Sequence, residues 1–532
     1  MLIEILFALV VVGLIAIWLS VDNIALPSYI PGPPSPSWVA GHAVDIWTNQ
    51  EQAGDLEFSW FKKYGTTIKL KGTFGTDILM TSDPRALHYI MHTAAYTFEK
   101  APEILILLLA MTGGRGLLGV TGKTHQRQRK VLNPAFSESQ IRGFVPLFQR
   151  VGNILTKRMV AAIGESDPSK GLNMHFWFGK ASLDVIGEAT FAHRFNSLED
   201  ENSEMGKIMS HFMDDSSSMT KTMRVGLWML EKFPSLKNLL SYSPSSLHRR
   251  FLQFQVISKR LAKKIVDEAK EYDENDSSSK DMLSILVRAN QTQDKNKMLV
   301  EEEVLSQAPT IISAGQETSS STLSWMFCEL SKNLGVQEAI RQEIFAAREE
   351  AGSRPFTVLD YDGMKLLNAA IKETLRFHPI LGTISRQVQT DDAIPLSEPL
   401  ITADGRRIDC IPVKKGQLVE CSAHVYNRNP AVWGPDADIW RPQRWDEEQK
   451  EQIDIGLYAN LLTFSGGVRG CVGWRFALLE LQAFSVEMLE NFRFAPTEAS
   501  QNIRRLPGIL ITPRVAGKYH EGLQMPLQVT PL

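Results

Sequence analysis

The fold is decided by Phe464-Ser-Gly-Gly-Val-Arg-Gly-Cys-Val-Gly473, a glycine-rich loop that runs directly into an apolar helical pattern from Trp474 to Phe492. Of the four cysteines in the chain, only Cys471 lies in such a loop. The glycines carry no Cβ, so the backbone can approach a flat, bulky partner closely. Arg469 and the positive end of the following helix both favour a thiolate at Cys471.

A single thiolate presented in this way can bind a metal. A zinc site needs about four ligands, whereas a haem iron needs one thiolate on its proximal side. The loop resembles the haem-binding signature of the cytochrome P-450 family, F-x-x-G-x-R-x-C-x-G. The fixed positions of that signature are all present, as Phe464, Gly467, Arg469, Cys471 and Gly473. The alternative is an inert, buried cysteine in front of a packed helix.

Two charged motifs upstream of the loop also resemble the family. Glu373 and Arg376 lie three residues apart on one face of a predicted helix, and they match its E-x-x-R signature. Taken alone, this spacing is typical of a solvated surface pair. Pro442-Gln-Arg-Trp445 matches its P-x-R-W element. The resemblance implies that Glu373, Arg376 and Arg444 form a buried network that supports the cysteine loop, because buried charges must be paired.

A fourth motif, Ala314-Gly-Gln-Glu-Thr318, resembles the family's [AG]-G-x-[ED]-T and lies in a helix predicted from Glu301 to Asn333. Ala314 and Gly315 leave room for a ligand against the backbone. The resemblance implies that Thr318 bonds a bound oxygen and that Glu317 relays protons. The alternative is a polar helix surface. Pro309 is predicted to kink this helix before the motif.

Haem carries two propionates, which need cations. Where the family has W-x-x-x-R, this chain has His125 and Arg129. The resemblance implies propionate contacts from Arg129, Arg386 and Arg469, while His125 offers a ring N–H whose charge state stays open. Arg127 and Lys130 are not assigned to the haem. They form either a solvated basic face or a docking face for a redox partner.

Residues 1–20, MLIEILFALVVVGLIAIWLS, are apolar except for Glu4 and Ser20 and are near the length that spans a bilayer. Residues 21–36 form a polar and proline-rich hinge. The resemblance implies a single anchor in the endoplasmic reticulum, with membrane lipid as a partner and the catalytic domain, residues 37–532, facing the cytosol. The glycosylation sequons at Asn275 and Asn290 would then stay unmodified.

Helical patterns dominate the rest of the chain, and the strand-like runs are short. This agrees with the family's fold, which is mainly α with a small β-rich lobe. Four cysteines without C-x-x-C fit a reducing compartment, and a net charge of -3 gives no indication of nucleic acid binding. No spare length remains for a flavin domain. The resemblance implies haem b as cofactor, O2, and NADPH-derived electrons from cytochrome P-450 reductase, with cytochrome b5 as a further candidate donor.

The expected reaction is insertion of one oxygen atom of O2 into a C–H bond of an apolar small molecule, either as a single hydroxylation or as a multi-step oxidation. Several segments resemble fungal members, many of which act on terpenoids and other secondary metabolites. A fatty acid or a steroid is an alternative substrate. A haem-thiolate isomerase or dehydratase and a haem carrier or sensor remain rival classes. Four apolar stretches are candidate pocket linings: Leu105–Thr112, Met205–Met223, Thr310–Ala314 and Ile380–Ile384.

Overall fold

The computed structural model describes residues 24–165, 170–213, 221–233, 246–271, 281–291, 294, 297–402, 404–447 and 452–532. The predicted anchor at residues 1–20 and the sequon at Asn275 lie outside these ranges. Within the described ranges, no helix is both long and apolar enough to cross a bilayer. Asn290 is buried, and its side-chain amide bonds both backbone polar groups of Leu299, at 2.9 and 2.6 Å. This asparagine is therefore not presented for glycosylation.

The described residues are mainly helical with some sheets, which confirms that part of the predicted fold class. The helices are α1 Ala43–Thr48, α2 Asp55–Tyr64, α3 Pro84–His88, α4 Pro102–Thr112, α5 Gly122–Leu132, α6 Glu138–Arg142, α7 Val145–Glu165, α8 Met174–Phe191, α9 Glu204–Met209, α10 Lys221–Lys232, α11 Ser246–Glu271, α12 Met282–Gln291, α13 Glu301–Leu305, α14 Gln307–Lys332, α15 Leu334–Ala351, α16 Val358–Gly363, α17 Lys365–Phe377, α18 Ala423–Asn427, α19 Pro430–Trp433 and α20 Trp474–Asn491.

The strands are short and form four small sheets within the described residues. They are β1 Thr67–Lys71, β2 Asp77–Thr81, β3 Phe98–Lys100, β4 Leu172–Asn173, β5 Thr383–Val388, β6 Asp392–Ile401, β7 Arg407–Val413, β8 Leu418–Ser422, β9 Phe492–Pro496, β10 Ile503–Leu506, β11 Thr512–Val515 and β12 Pro526–Pro531. The largest sheet has the order β1-β2-β8-β5-β3, with β2 and β8 parallel. The other sheets are β4-β12-β9, β10-β11 and β6-β7.

The helix predicted from Glu301 to Asn333 is two helices, because the chain breaks at Ser306. Pro309 lies in the first turn of α14. No hydrogen bond within α14 is lost there, because the first N–H groups of a helix have no partner inside it. The proline ring would clash with the Leu305 carbonyl if the helix continued through that residue. The proline therefore separates α13 from α14, and the predicted kink within one continuous helix is wrong.

Helix α14 is the central element of the core. It packs against α8, α11, α17 and α20, and most of its side chains are buried. Aromatic contacts join its far end to α8 and to β9: the Phe327 ring lies 5.3 Å from Phe178 and 4.6 Å from Phe494. In the middle of a helix this enclosed, a residue can be exposed only to an internal space.

Gly114-Arg-Gly-Leu-Leu-Gly119 has the spacing of a dinucleotide-binding loop. It joins α4 to α5, however, instead of joining a strand to a helix. Without a preceding strand, this spacing carries no dinucleotide-binding assignment.

Candidate active site

The cysteine loop is a fixed turn at the start of α20. The Cys471 N–H donates to the Phe464 carbonyl at 2.9 Å, and the Gly470 N–H donates to the Gly467 carbonyl at 3.0 Å. Arg129 Nη1 donates to the Gly470 carbonyl at 2.6 Å. Backbone bonds and one guanidinium thus hold the position of the Cys471 sulfur.

Two loop glycines are required by the protein around them, a reason that sequence reasoning missed. Gly467 has φ +61°, and a Cβ there would clash with the Met91 carbonyl oxygen. A Cβ at Gly466 would clash with the Ile455 carbonyl oxygen. Gly473 differs, since a Cβ there would only touch the Phe136 ring at 3.6 Å.

The Cys471 side chain is accessible although it lies deep in the chain's interior, so it opens into an internal cavity. Burial raises the pKa of the Cys471 thiol, while the Gly473 backbone N–H and the Arg129 charge lower it. The cation that acts on the sulfur is therefore Arg129. Arg469 is ion-paired with Glu99, so that carboxylate offsets the Arg469 charge.

One face of α14 also opens into the interior. Ala314 is exposed and Gly315 and Thr318 are half-buried, in the middle of a helix that is otherwise almost entirely buried. Residues at this spacing share one helical face. The Thr318 hydroxyl donates to the Ala314 carbonyl at 2.7 Å and keeps its lone pairs for an incoming donor.

The structure does not bring Glu317 to the same space as Thr318. Glu317 is 2% exposed, and its Oε1 lies 3.1 Å from His175 Nε2 and 3.4 Å from Ser321 Oγ. Successive helical residues lie about 100° apart, so α14 turns this carboxyl toward α8. The predicted relay through Glu317 and Thr318 together is absent from this arrangement. His175, which sequence reasoning missed, is the group that holds the acid.

A cluster of cations lies beside the cysteine loop. Arg386 is buried, and the Arg469 side chain is only 3% exposed. Two nitrogens of Arg469, Nε and Nη1, have no hydrogen-bond partner among the residues that the structure describes. Burial lowers the pKa of Arg386 to about 10, so it stays charged at neutral pH. Burial and the nearby Arg469 and Lys100 charges lower the pKa of His125 to about 3, so its ring is neutral. Orphaned guanidinium nitrogens next to an accessible thiol fit the propionates of a haem.

Lys100 belongs to the same cluster and was missed from the sequence. It lies directly opposite Arg386 in the β3–β5 pair, and its Nζ donates to the Leu118 carbonyl at 2.6 Å. Burial, followed by the Arg469 and Arg386 charges, lowers its pKa to about 7. A three-residue strand carries no local signal that could have pointed to it.

Arg127 and Lys130, which were predicted to share one basic face of α5, lie in different environments. Arg127 donates to Glu303 at 2.6 and 2.9 Å and to the Met298 carbonyl at 2.5 Å, so it joins α5 to α13. Lys130 is exposed. Of these two residues, Lys130 is therefore the one available to contact a redox partner, because Arg127 is engaged by Glu303.

Glu373, Arg376 and Arg444 form one buried network. Two Arg376 nitrogens donate to the Glu373 carboxylate at 2.8 and 2.9 Å, and Arg444 Nε lies 3.4 Å from the same group. Trp445 Nε1 donates to Glu373 at 3.1 Å, and Arg444 Nη1 donates to Asp436 at 2.6 Å. Sequence reasoning missed these two partners.

The network reaches the cysteine loop through Asn427. Arg376 Nη1 donates to the Asn427 carbonyl at 2.9 Å. The Asn427 amide in turn accepts from the Leu462 N–H at 3.0 Å and donates to Thr463 Oγ1 at 2.9 Å. These two residues immediately precede Phe464, so the charged network fixes the start of the loop.

The predicted pocket linings are only partly open. Leu105, Leu108 and Leu381 are half-buried or exposed. The stretch that begins at Met205 is packed core as far as the structure describes it, because the Phe212 ring lies 5.1 and 4.8 Å from the rings of Phe251 and Phe254. The open linings therefore come mainly from α4, α14 and the segment after α17.

Comparison with known proteins supports the same assignment. The family model described as cytochrome P-450 matches residues 31–518. Cytochrome P-450 monooxygenases 205 and 128 of Postia placenta are 31% and 30% identical to this chain, each over 94% of it and 92% of their own length. Cytochrome P-450 monooxygenase claU of Ampulloclitocybe clavipes is 30% identical, with the same coverage.

Proposed function

The chain belongs to the cytochrome P-450 family, haem-thiolate monooxygenases that use haem b, O2 and NADPH-derived electrons from a reductase, and we propose that it hydroxylates an apolar small molecule of terpenoid type. The observation that carries this proposal is the accessible Cys471 thiol in the same loop as Arg469, two of whose nitrogens have no hydrogen-bond partner among the described residues. The open leucines of α4 and Leu381 support an apolar substrate. A fatty acid or a steroid is the second candidate.

Different residues of the chain serve haem binding and proton transfer. Cys471 would supply the thiolate that holds a haem iron, and Arg386, Arg469 and Arg129 would provide positive charge for its propionates, with neutral His125 as a ring donor. When bound, the haem supplies the oxidising chemistry, which thiolate ligation favours. Thr318 offers a hydroxyl on the open face of α14, where it can pass a proton within hydrogen-bond reach.

Replacing Thr318 by alanine should leave haem content unchanged and lower the product formed per NADPH by about tenfold or more, because a hydroxyl positioned for proton transfer is lost. The missing electrons should appear as peroxide. The measurement is NADPH consumption, peroxide and product with added reductase. Thr322→Ala is the matched control, since Thr322 lies one turn further along in a buried position and bonds the Thr318 carbonyl. Unchanged coupling in Thr318→Ala would show that its hydroxyl has no such role.

The same assay separates the rival classes. A haem-thiolate isomerase or dehydratase forms product without consuming NADPH, and a carrier or sensor does neither. We propose that electrons arrive from NADPH–cytochrome P-450 reductase, with cytochrome b5 as a second donor. Turnover of the purified chain with NADPH alone would contradict the requirement for a partner.

We also propose that residues 1–20 anchor the protein in the endoplasmic reticulum membrane, with residues 37–532 in the cytosol. Deleting Met1 to Asn23 should move most of the protein from the membrane pellet to the supernatant, because the deletion removes an apolar run near the spanning length. The shortened protein should still bind haem, since the haem motifs lie further along the chain. A variant with Pro31, Pro33 and Pro34 changed to alanine should stay in the pellet, and equal pelleting of all forms would count against the anchor.

A further inference from the structure

A small cleft lies between the largest sheet and two helices, away from the cysteine loop. It is lined by residues of α4, α10 and the start of β8, including Glu103, Arg224, Trp228, Gln387, Gln417 and Leu418. Its volume is about 40 Å³. That is enough for one hydroxyl-sized group, since a single water needs roughly 10–15 Å³ by the same measure.

Gln417 gives the cleft an acceptor without a partner. Its Nε2 donates to the Asp77 carbonyl at 2.5 Å and lies 3.4 Å from the Leu418 carbonyl. This contact fixes which end of the amide carries the oxygen, because two oxygens would repel each other. The Oε1 of Gln417 is buried and has no hydrogen-bond partner within the described part of the chain. A buried acceptor without a donor loses its hydration and lowers the stability of the fold, so a ligand that brings a hydrogen-bond donor would be favoured at this position.

Glu420 adds a second acceptor on the adjoining sheet surface. It follows Leu418 by two residues, so both side chains share one face of β8. Ser385, opposite Glu420 in the β5–β8 pair, donates to its Oε2 at 2.6 Å. Among the described residues, no partner bonds the other carboxyl oxygen. Burial raises the pKa of Glu420 to about 7, with a further contribution from the Glu103 charge.

The cleft's cations are already engaged. Arg224 Nη1 is ion-paired with Glu103, and its Nε donates to Thr73 Oγ1 at 2.9 Å. Lys232 lies 3.6 Å from Glu231. Among the described residues, each cation that lines the cleft is thus engaged by an acid, which leaves unsatisfied acceptors and no surplus positive charge. This chemistry favours a neutral hydroxyl over a carboxylate.

Apolar side chains border the cleft and continue along α4. Trp228 packs edge-on against Phe74 at 4.8 Å, and Leu418 lines the same space. Glu103 lies in the first turn of α4, and the 11 residues of this helix, several of them half-buried leucines, continue to Thr112. At 1.5 Å per residue the helix is about 16 Å long, and it packs against α14, which carries Thr318.

We propose that this cleft is a polar subsite of the substrate channel and that the substrate is amphipathic, with a hydroxyl group held at Gln417 and Glu420 and an apolar body that extends along α4 toward Thr318. The inference rests on the proposed function and narrows its substrate class. The proposed subsite favours an alcohol over a fatty acid. A carboxylate there would be repelled by Glu103 and Glu420, and the cations that line the cleft are already ion-paired.

The experiment uses the full-length holoprotein and three probes of one chain length: dodecanol, dodecyl methyl ether and dodecanoate. Binding is followed by calorimetry and by the shift of the Soret band on displacement of haem-bound water. Dodecanol should bind at least about tenfold more tightly than the ether or the acid, as the loss of one hydrogen bond to a buried partner predicts. Equal affinities, tighter binding of dodecanoate or no binding of dodecanol would overturn the subsite.

Variants then locate the preference. Glu420→Leu should remove most of the advantage of dodecanol and leave ether binding unchanged, while Glu420→Gln, which keeps an acceptor oxygen, should retain it. Glu398→Leu replaces an exposed acid on β6 and is the matched control. A preference that survives Glu420→Leu in full contradicts the role of Glu420. The comparison of probes on the unaltered protein decides the proposal even where Glu420→Leu fails to fold.

The carbonyl-complex spectrum of the same samples distinguishes failure of the proposed function from failure of the hydroxyl subsite. Absence of a thiolate-type band would mean that the proposed function itself fails. A normal band with no preference for dodecanol would remove the subsite alone, and Gln417 would then be satisfied by an ordered water.

Discussion

Replacing Cys471 by serine should abolish the red-shifted, thiolate-type Soret band of the reduced carbonyl complex. A hydroxyl cannot supply the thiolate that this band reports, because the band depends on sulfur bound to the haem iron. The measurement is the carbonyl difference spectrum, with total haem determined on the same sample. The expected loss is complete, since a single sulfur provides the ligand. Cys471→His tests the same point with a different ligand and should give a band without the red shift.

The other cysteines provide matched controls. Cys328 and Cys421 are buried, and burial raises the pKa of their thiols to about 11 and about 12. Cys410 is exposed on β7. Cys328→Ser and Cys410→Ser should therefore keep the full thiolate band. A normal band from Cys471→Ser would contradict the ligand assignment outright.

Motifs confined to a few neighbouring residues could be recognised in the sequence. The Cys471 loop and the Glu373–Arg376 spacing each lie within one short segment, and each follows a pattern set by local backbone geometry. The helical fold class followed in the same way from long apolar periodicities. Pro309 also marked the break between α13 and α14 in the sequence. It was interpreted as a kink inside one helix, whereas it lies in the first turn of the second.

Partners from distant segments could not be predicted. Lys100 meets Arg386 only because β3 pairs with β5, and His175 meets Glu317 only because α8 packs against α14. Asp436 and Trp445 reach Glu373's network through loops. Apolar composition likewise could not separate an open lining such as Leu381 from a packed side chain such as Phe212, since both environments favour the same residue types.

Removing either charge of the Glu373–Arg376 pair should give protein that folds poorly and lacks haem. Both side chains are fully buried, so a single substitution leaves the other charge without its partner in the interior, at a cost of about 3–5 kcal/mol. A typical domain is stable by only about 5–15 kcal/mol. Glu373→Ala also leaves the Trp445 and Arg441 N–H donors unpaired.

The measurements are the yield of soluble protein, the ratio of haem to protein absorbance and the midpoint of thermal unfolding. Glu338→Ala is the matched control, because Glu338 and Arg341 form another pair three residues apart in which the acid is 45% exposed. Its loss should cost about 1 kcal/mol or less and leave haem content intact. A soluble, haem-loaded Glu373→Ala or Arg376→Ala protein would contradict burial of the network.

The double variant Glu373→Leu/Arg376→Met sharpens this test. Replacing a buried ion pair with apolar residues of similar size is often neutral. Here Arg376 also donates to the Asn427 carbonyl at 2.9 Å and the Ala437 carbonyl at 2.7 Å. The double variant should therefore remain unstable, because these carbonyls lose their donor and Asn427 no longer holds Leu462 and Thr463 in front of the cysteine loop. Full haem content in the double variant would show that charge pairing alone, and not the link to the loop, is what the network provides.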